Sequence, residues 1–428
     1  MKSIINRSDE LSRRGFLSQT AGGLLGVSLM PSLAPTSLFA QTRNPSAKAN
    51  KVIYLYMSGG MSHMDTFDPK PGADEQGPVQ AIDTNVDGIK ISEYLPSLAR
   101  QMDKMALVRS LSSTQGAHEQ GQYFMHSSYT PRGTIQHPGL GAWMHRLDGR
   151  KNSTLPASVR IGGSSRGSGS GFLESKFAPL VINNPNDGLK NSKRRQGMSE
   201  KEFKDRLDLA SAFDEEFHRR YNHKKVRAYT DMYEDAIRLM KSEDLKAFDL
   251  NKESKDVRDE YGDNSFGQGC LLARRLIEND VRFVEVSLGG WDTHNNNFDS
   301  VSRRAGVLDQ AMATLISDLE RRGLLEETLV VLATEFGRTP RINENDGRDH
   351  FPKAFSGVLA GGGIKGGQAY GVTDETSSNV LDQRVSVPDF NATIAHALGL
   401  PLDEVVYSPS KRPFTVAHKG RPVIDLLA

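Results

Sequence analysis

Three apolar-rich runs, Val52 to Met57 (VIYLYM), Val281 to Ser287 (VRFVEVS) and Leu329 to Ala333 (LVVLA), each spill into a loop crowded with glycine and ionisable side chains. Runs this short, bounded by such loops, suit strands buried on both faces, the pattern of a parallel sheet covered by helices. Shorter strands are expected at Met105 to Val108 and from Gly357 to Ala360. The helices that would cover the sheet are legible between them. Leu271 to Ile277 is helix-like, and Val307, Leu308, Ala311, Met312, Leu315, Ile316 and Leu319 recur at the 3.6-residue period before Gly323. Strands alternating with helices predict an α/β fold, a doubly wound and mostly parallel sheet, with ligand chemistry at the strand C-terminal ends.

Composition narrows the functional classes. With 37% hydrophobic and 25% charged residues in 428, the chain can build a sizeable core. The 54 Lys and Arg against 53 Asp and Glu leave no nucleic-acid footprint. Cys270 is the one cysteine, which excludes an intramolecular disulfide or a Cys-rich metal site.

Met1 to Ala40 reads as an export address. Arg13-Arg14 followed by Phe16-Leu17 precedes a weakly apolar stretch to Ala40, the pattern of a twin-arginine signal, and Pro31 and Pro35 oppose a long helix there. Cleavage after Ala40 would leave residues 41–428 as one domain, periplasmic or extracellular, with no further stretch apolar enough to span a bilayer. Within it, Phe203, Leu207, Phe213, Phe217 and Tyr221 mark an amphipathic helix and a second is expected from about Val226 to Leu250. Ser199 to Asp263 is therefore read as a helical insertion. The basic cluster Lys190, Lys193, Arg194, Arg195 is read as a solvated loop.

Chemistry should gather after the three strands. Asp292 and His294, in GGWDTH, point the same way if the segment is extended and can offer a carboxylate and an imidazole to one ion. Glu335 and Arg338 follow LVVLA, with Arg348 and His350 close behind, and Asp65 lies in the loop after VIYLYM. Asp292, His294 and His350 are the leading metal candidates. Glu335 is read as a ligand, a base or an ion-pair partner of Arg338, and Asp65 as a ligand or an Asx-turn residue. Oxygen and nitrogen donors without sulfur suit a divalent ion such as Zn, Mn, Mg or Ca.

The segments SGGMSHMDTFDPKPG, GSGFLESKFAPLVINNP, GGWDTHNNNF, TEFGRTPRINENDGRDHF and VPDFNATIAHALGLP resemble the DUF1501 family, a largely uncharacterised group placed with the alkaline phosphatase and sulfatase superfamily. The resemblance implies an alkaline phosphatase-like α/β/α sandwich, with metal at the strand ends on Asp292, His294 and His350 and a helix capped by Asp389 that ends in Leu398-Gly399. It also implies an exported metal-dependent hydrolase of small sulfate or phosphate esters. The alternative is a non-catalytic binding or scaffold protein with a degenerate metal site. That alternative is motivated by the Asp-His pair usual in the superfamily, which reads Glu335-Phe336, and by a nucleophile that the sequence does not single out; the formylglycine sulfatase motif is also absent, Cys270 standing in GQGCLLARR. The nucleophile region corresponds to Ser112 to His118, where Thr114 and His118 are the candidates, with Glu335 or His118 to move a proton and Arg338 or Arg348 to meet the substrate's charge.

Overall fold

The computed structural model describes residues 44, 47–163, 166–189, 192, 197–206, 209 and 235–428. The export segment, Lys190, Lys193 to Arg195, and Leu207, Phe213, Phe217 and Tyr221 of the insertion lie outside the described residues.

A nine-stranded sheet organises the chain. Its strands are β1 (Lys51–Ser58), β2 (Met105–Ser112), β3 (Ser158–Ile161), β4 (Leu180–Ile182), β5 (Phe283–Gly289), β6 (Thr328–Ala333), β9 (Phe355–Ala360), β10 (Gln368–Tyr370) and β11 (Val385–Ser386). A two-residue pair outside the sheet supplies β7 (Gly337–Arg338) and β8 (His350–Phe351). The order across the sheet is β10-β2-β9-β6-β1-β5-β3-β4, with β11 also on β2. β1 runs parallel to β5 and β6, and β3 parallel to β4 and β5. β9 is antiparallel to both β2 and β6, so the strand expected from Gly357 departs from an all-parallel arrangement. The segment from β6 to β9 holds no crossover helix, only the loop bearing β7 and β8. A strand that returns without a crossover pairs antiparallel.

Alternation along β1 builds two cores. Ile53, Leu55 and Met57 face helices α3 (Ser265–Glu278) and α4 (Asn297–Arg321) with Leu272, Leu276, Leu308 and Leu315. Val52, Tyr54 and Tyr56 face α1 (His118–Ser127), α2 (Leu140–Asp148) and α5 (Val387–Ala397) with Met125, Trp143, Phe390 and Ile394. Burial of each such aliphatic side chain contributes roughly 1.5–3 kcal/mol. This is a doubly wound α/β/α sandwich. Local signals set the helix starts: Asn264 caps α3 by accepting from the N–H groups of Phe266 and Gly267, and Ser386 and Asp389 form a capping box on α5. α5 ends at Leu398, with Gly399 at φ 71°.

The insertion keeps helix over 200–206 and 235–241, but the expected helix to Leu250 stops near Ser242. The Ser242 hydroxyl accepts from Asp244 N–H and starts a 3-10 turn, Glu243–Phe248. Strands β3 and β4 were not expected from the sequence; at four and three residues they are too short for a periodic signal.

Candidate metal centre

β1, β5 and β6 are parallel neighbours, so their C-terminal loops emerge on one edge of the sheet. Two glycines set how closely these loops meet. Gly59, at φ +121°, lies so near the second loop that a Cβ would fall 2.5 Å from Asp292 N. A Cβ on Gly347 would fall 1.8 Å from the carbonyl oxygen of His294. The chain around Gly347 is laced to the Asp292 loop by Arg348 N–H to Thr293 O (2.9 Å) and Asn297 N–H to Asp346 O (2.8 Å). β7 and β8 pair His350 opposite Arg338. Sequence segments more than fifty residues apart thus deliver His294 and His350 to one place. Gly347→Ala is expected to pull this loop off the Asp292 segment, read as loss of metal uptake in a chain that keeps its far-ultraviolet circular dichroism.

Asp292, His294 and His350 converge as the sequence expects, and His118, at the start of α1, joins them. His294 Nε2 stands 3.0 Å from His350 Nε2. Asp292 Oδ1 is 3.2 Å from His294 Nε2 and 3.5 Å from His350 Nε2, and Asp292 Oδ2 is 3.3 Å from His118 Nε2. Ligand atoms of His118, Asp292 and His350 all lie within 4.8 Å of one another. Tetrahedral coordination at zinc-to-nitrogen lengths would separate donors by about 3.3 Å.

The other ring nitrogens decide what these Nε2 atoms are. His118 Nδ1 is 2.8 Å from Glu335 Oε1, His294 Nδ1 is 2.7 Å from Asp349 Oδ1, and His350 Nδ1 is 2.9 Å from the Gly116 carbonyl. Each partner can only accept, so each Nδ1 must carry the hydrogen. In the neutral rings all three Nε2 lone pairs then point into the cluster beside the Asp292 carboxylate. His118 Nε2 is buried and makes no hydrogen bond. A proton between His294 and His350 would engage those two lone pairs and leave that of His118; a divalent cation would engage all three. The donor set therefore fits a metal ion, three imidazoles and a carboxylate suiting zinc better than magnesium or calcium.

Electrostatics are strongly coupled. Burial works to raise the Asp292 pKa, but Arg338, His118 and His294 outweigh it and hold it below the usual carboxylate value. The hydrogen bond to Glu335 pushes His118 up, whereas burial and neighbouring positive groups push His350 down. Phe336 packs on both rings, its centroid 5.1 Å from His118 and 4.7 Å from His350.

Other expected residues take different positions. Glu335 is fully buried behind His118, its carboxylate also accepting from Tyr56 O–H (2.7 Å) and Gly59 N–H (2.8 Å), so it backs the cluster. Arg338 is fully buried, donating to Asp292 Oδ1 (2.6 Å) and to the carbonyls of Gly59, Gly60 and Arg348. Arg348 is likewise buried and grips Asp65 through Nε and Nη2, at 2.8 and 2.9 Å. Asn297 donates to the same carboxylate at 2.8 Å. Asp65 thus forms an internal ion pair, and neither arginine has a free guanidinium to meet a substrate oxyanion. Thr114 is exposed and its hydroxyl accepts from Gln115 (3.0 Å). Sequence reasoning missed Asp349, although it sits inside GRDHF, and Tyr56, hidden in a run read only as apolar. The Gly116 carbonyl carries no side-chain signal at all.

A family model described as "Protein of unknown function (DUF1501)" matches residues 49–427. No curated protein matches the sequence. Similar solved structures include a protein in the alkaline phosphatase superfamily from Vibrio parahaemolyticus, 11% identical over 94% of this chain and 76% of that one, TM-score 0.39. The phosphonate monoester hydrolase SpPMH from Silicibacter pomeroyi is 11% identical over 88% and 76%, TM-score 0.40. The C-terminal periplasmic domain of EcEptC from Escherichia coli, in complex with Zn, is 10% identical over 90% and 98%, TM-score 0.38. Among the described residues no helix is long and apolar enough to cross a membrane.

Proposed function

The chain belongs to the DUF1501 family of proteins of unknown function, its model covering residues 49–427, and from that premise we propose an exported, metal-dependent hydrolase of small sulfate or phosphate esters. The observation that carries the reading is the convergence of three Nε2 lone pairs, each fixed by an acceptor on its Nδ1, beside the Asp292 carboxylate. His118, His294, His350 and Asp292 would hold the ion. When bound, the ion supplies Lewis acidity and lowers the pKa of a coordinated water towards ~7. Arg338 anchors Asp292 and keeps it ionised, while Glu335, Asp349 and the Gly116 carbonyl hold the three rings in register. Asp292 and His294 remain 47% and 40% exposed, which leaves the cluster open to a ligand from solvent. Thr114 is exposed with its hydroxyl accepting from Gln115, and water is taken as the nucleophile in this reading. The ester class follows from the motif resemblance, and the paired arginines ahead of Phe16 support delivery by the twin-arginine route to the periplasm or beyond.

The purified mature protein is expected to carry a divalent ion and to hydrolyse aryl sulfate or phosphate esters in a chelator-sensitive way. Metal analysis alongside a chromogenic ester assay checks this, and turnover indifferent to chelation would exclude it. A second reading, a metal-holding protein without turnover, draws support from the burial of Arg338 and Arg348, which leaves anion recognition to the ion alone. Stoichiometric metal with no ester cleavage would favour that reading.

A further inference from the structure

Glu335 differs from the other two groups that hold the rings. Asp349 is exposed and Gly116 offers a backbone carbonyl, whereas Glu335 is a carboxylate with no solvent exposure. Burying such a carboxylate is costly unless its lone pairs are filled. Here they are filled by Gly59 N–H and His118 Nδ1–H on Oε1 and by Tyr56 O–H on Oε2. Tyr56 comes from the middle of the sheet, its ring fully buried on the face covered by α1. Burial, then the neighbouring Glu335, pushes its hydroxyl well above the ordinary phenol value, so it stays a donor at neutral pH. Glu335 in turn donates nothing and can only receive the His118 hydrogen.

We infer that Tyr56 and Glu335 form a positioning chain that acts through His118, fixing its Nδ1–H tautomer so that the Nε2 lone pair is presented to the metal. This rests on the proposed metal site and adds to it two residues that would never touch the ion. Tyr56 holds the carboxylate, the carboxylate holds the ring, and the rigid strand holds Tyr56. Carboxylate partners of metal-bound histidines typically change affinity by about 10- to 100-fold when lost.

The test uses Tyr56→Phe, which deletes one hydroxyl at constant shape, and Glu335→Gln, which keeps the size but removes the charge. Zinc affinity is measured by chelator competition, and the His118 tautomer by nitrogen-15 NMR of histidine-labelled, metal-free protein at alkaline pH. The expected result is a fall in zinc affinity of about 10-fold for Tyr56→Phe and towards 100-fold for Glu335→Gln. The Nδ1–H signature of His118 should weaken in the same order. A merely structural role would lower thermal stability while leaving both readouts as in the parent, and that result overturns the inference. If the parent protein takes up no zinc, the metal reading fails by itself; the tautomer readout still decides whether Tyr56 and Glu335 fix the ring.

Discussion

Asp65→Ala is expected to destabilise the protein by about 3–5 kcal/mol, because it strands a guanidinium in the interior. Asp65 and Arg348 are both fully buried, and the two-pronged contact at 2.8 and 2.9 Å joins residues 283 positions apart. The remaining Arg348 hydrogens go to the carbonyls of Thr339, Pro340 and Glu75, which cannot balance its charge. Urea denaturation would read the loss as a lowered midpoint at unchanged slope. Replacing both partners by apolar residues of similar volume should cost less than removing Asp65 alone, since no lone charge remains. If instead the single substitution is as mild as an exposed ion-pair loss, below about 1 kcal/mol, the pair is solvated and the packing described is wrong. The same substitution should also weaken metal uptake, because Arg348 ties the first loop to the segment that carries His350.

Asp292→Ala is expected to reduce metal affinity beyond the ~100-fold attributed to an outer partner, because it removes the carboxylate among the donors, which lies within 3.5 Å of an Nε2 on each of the three rings. Its effect on folding should be smaller than that of Asp65→Ala. Asp292 is half exposed, and the buried Arg338 keeps the nearby carboxylates of Glu335 and Asp349 to balance its charge. Asp292→Asn separates the two roles, since the amide oxygen can still accept from Arg338 without supplying a charge to the ion. Isothermal titration with zinc, beside thermal melts of the metal-free variants, distinguishes them. Unaltered zinc binding in Asp292→Ala would remove the metal centre as described.

Much of the framework was legible from local pattern. The apolar runs at Val52, Val281 and Leu329 became β1, β5 and β6, and the periodicity around Leu308 became α4. Extended spacing was enough to bring Asp292 and His294 to one side. His350 could be placed with them only by resemblance and proximity to a third strand. Local pattern failed where a residue's role depends on a distant partner. Asp65 follows the first strand as a ligand might, yet its carboxylate is consumed by Arg348. Arg338 stands beside Glu335 in sequence but spends its hydrogen bonds on Asp292 and backbone carbonyls.

The sequence by itself determined the sheet-and-helix alternation, the edge on which polar groups would collect, and the identity of most of those groups, because burial and periodicity are properties of adjacent residues. Only the tertiary structure decided which nitrogen of each ring faces inward, that His118 belongs to the cluster, and that Tyr56 supports it through Glu335. Those outcomes depend on distances of about 3 Å between segments far apart along the chain, where hydrogen bonding is steeply distance-dependent and periodicity carries no information.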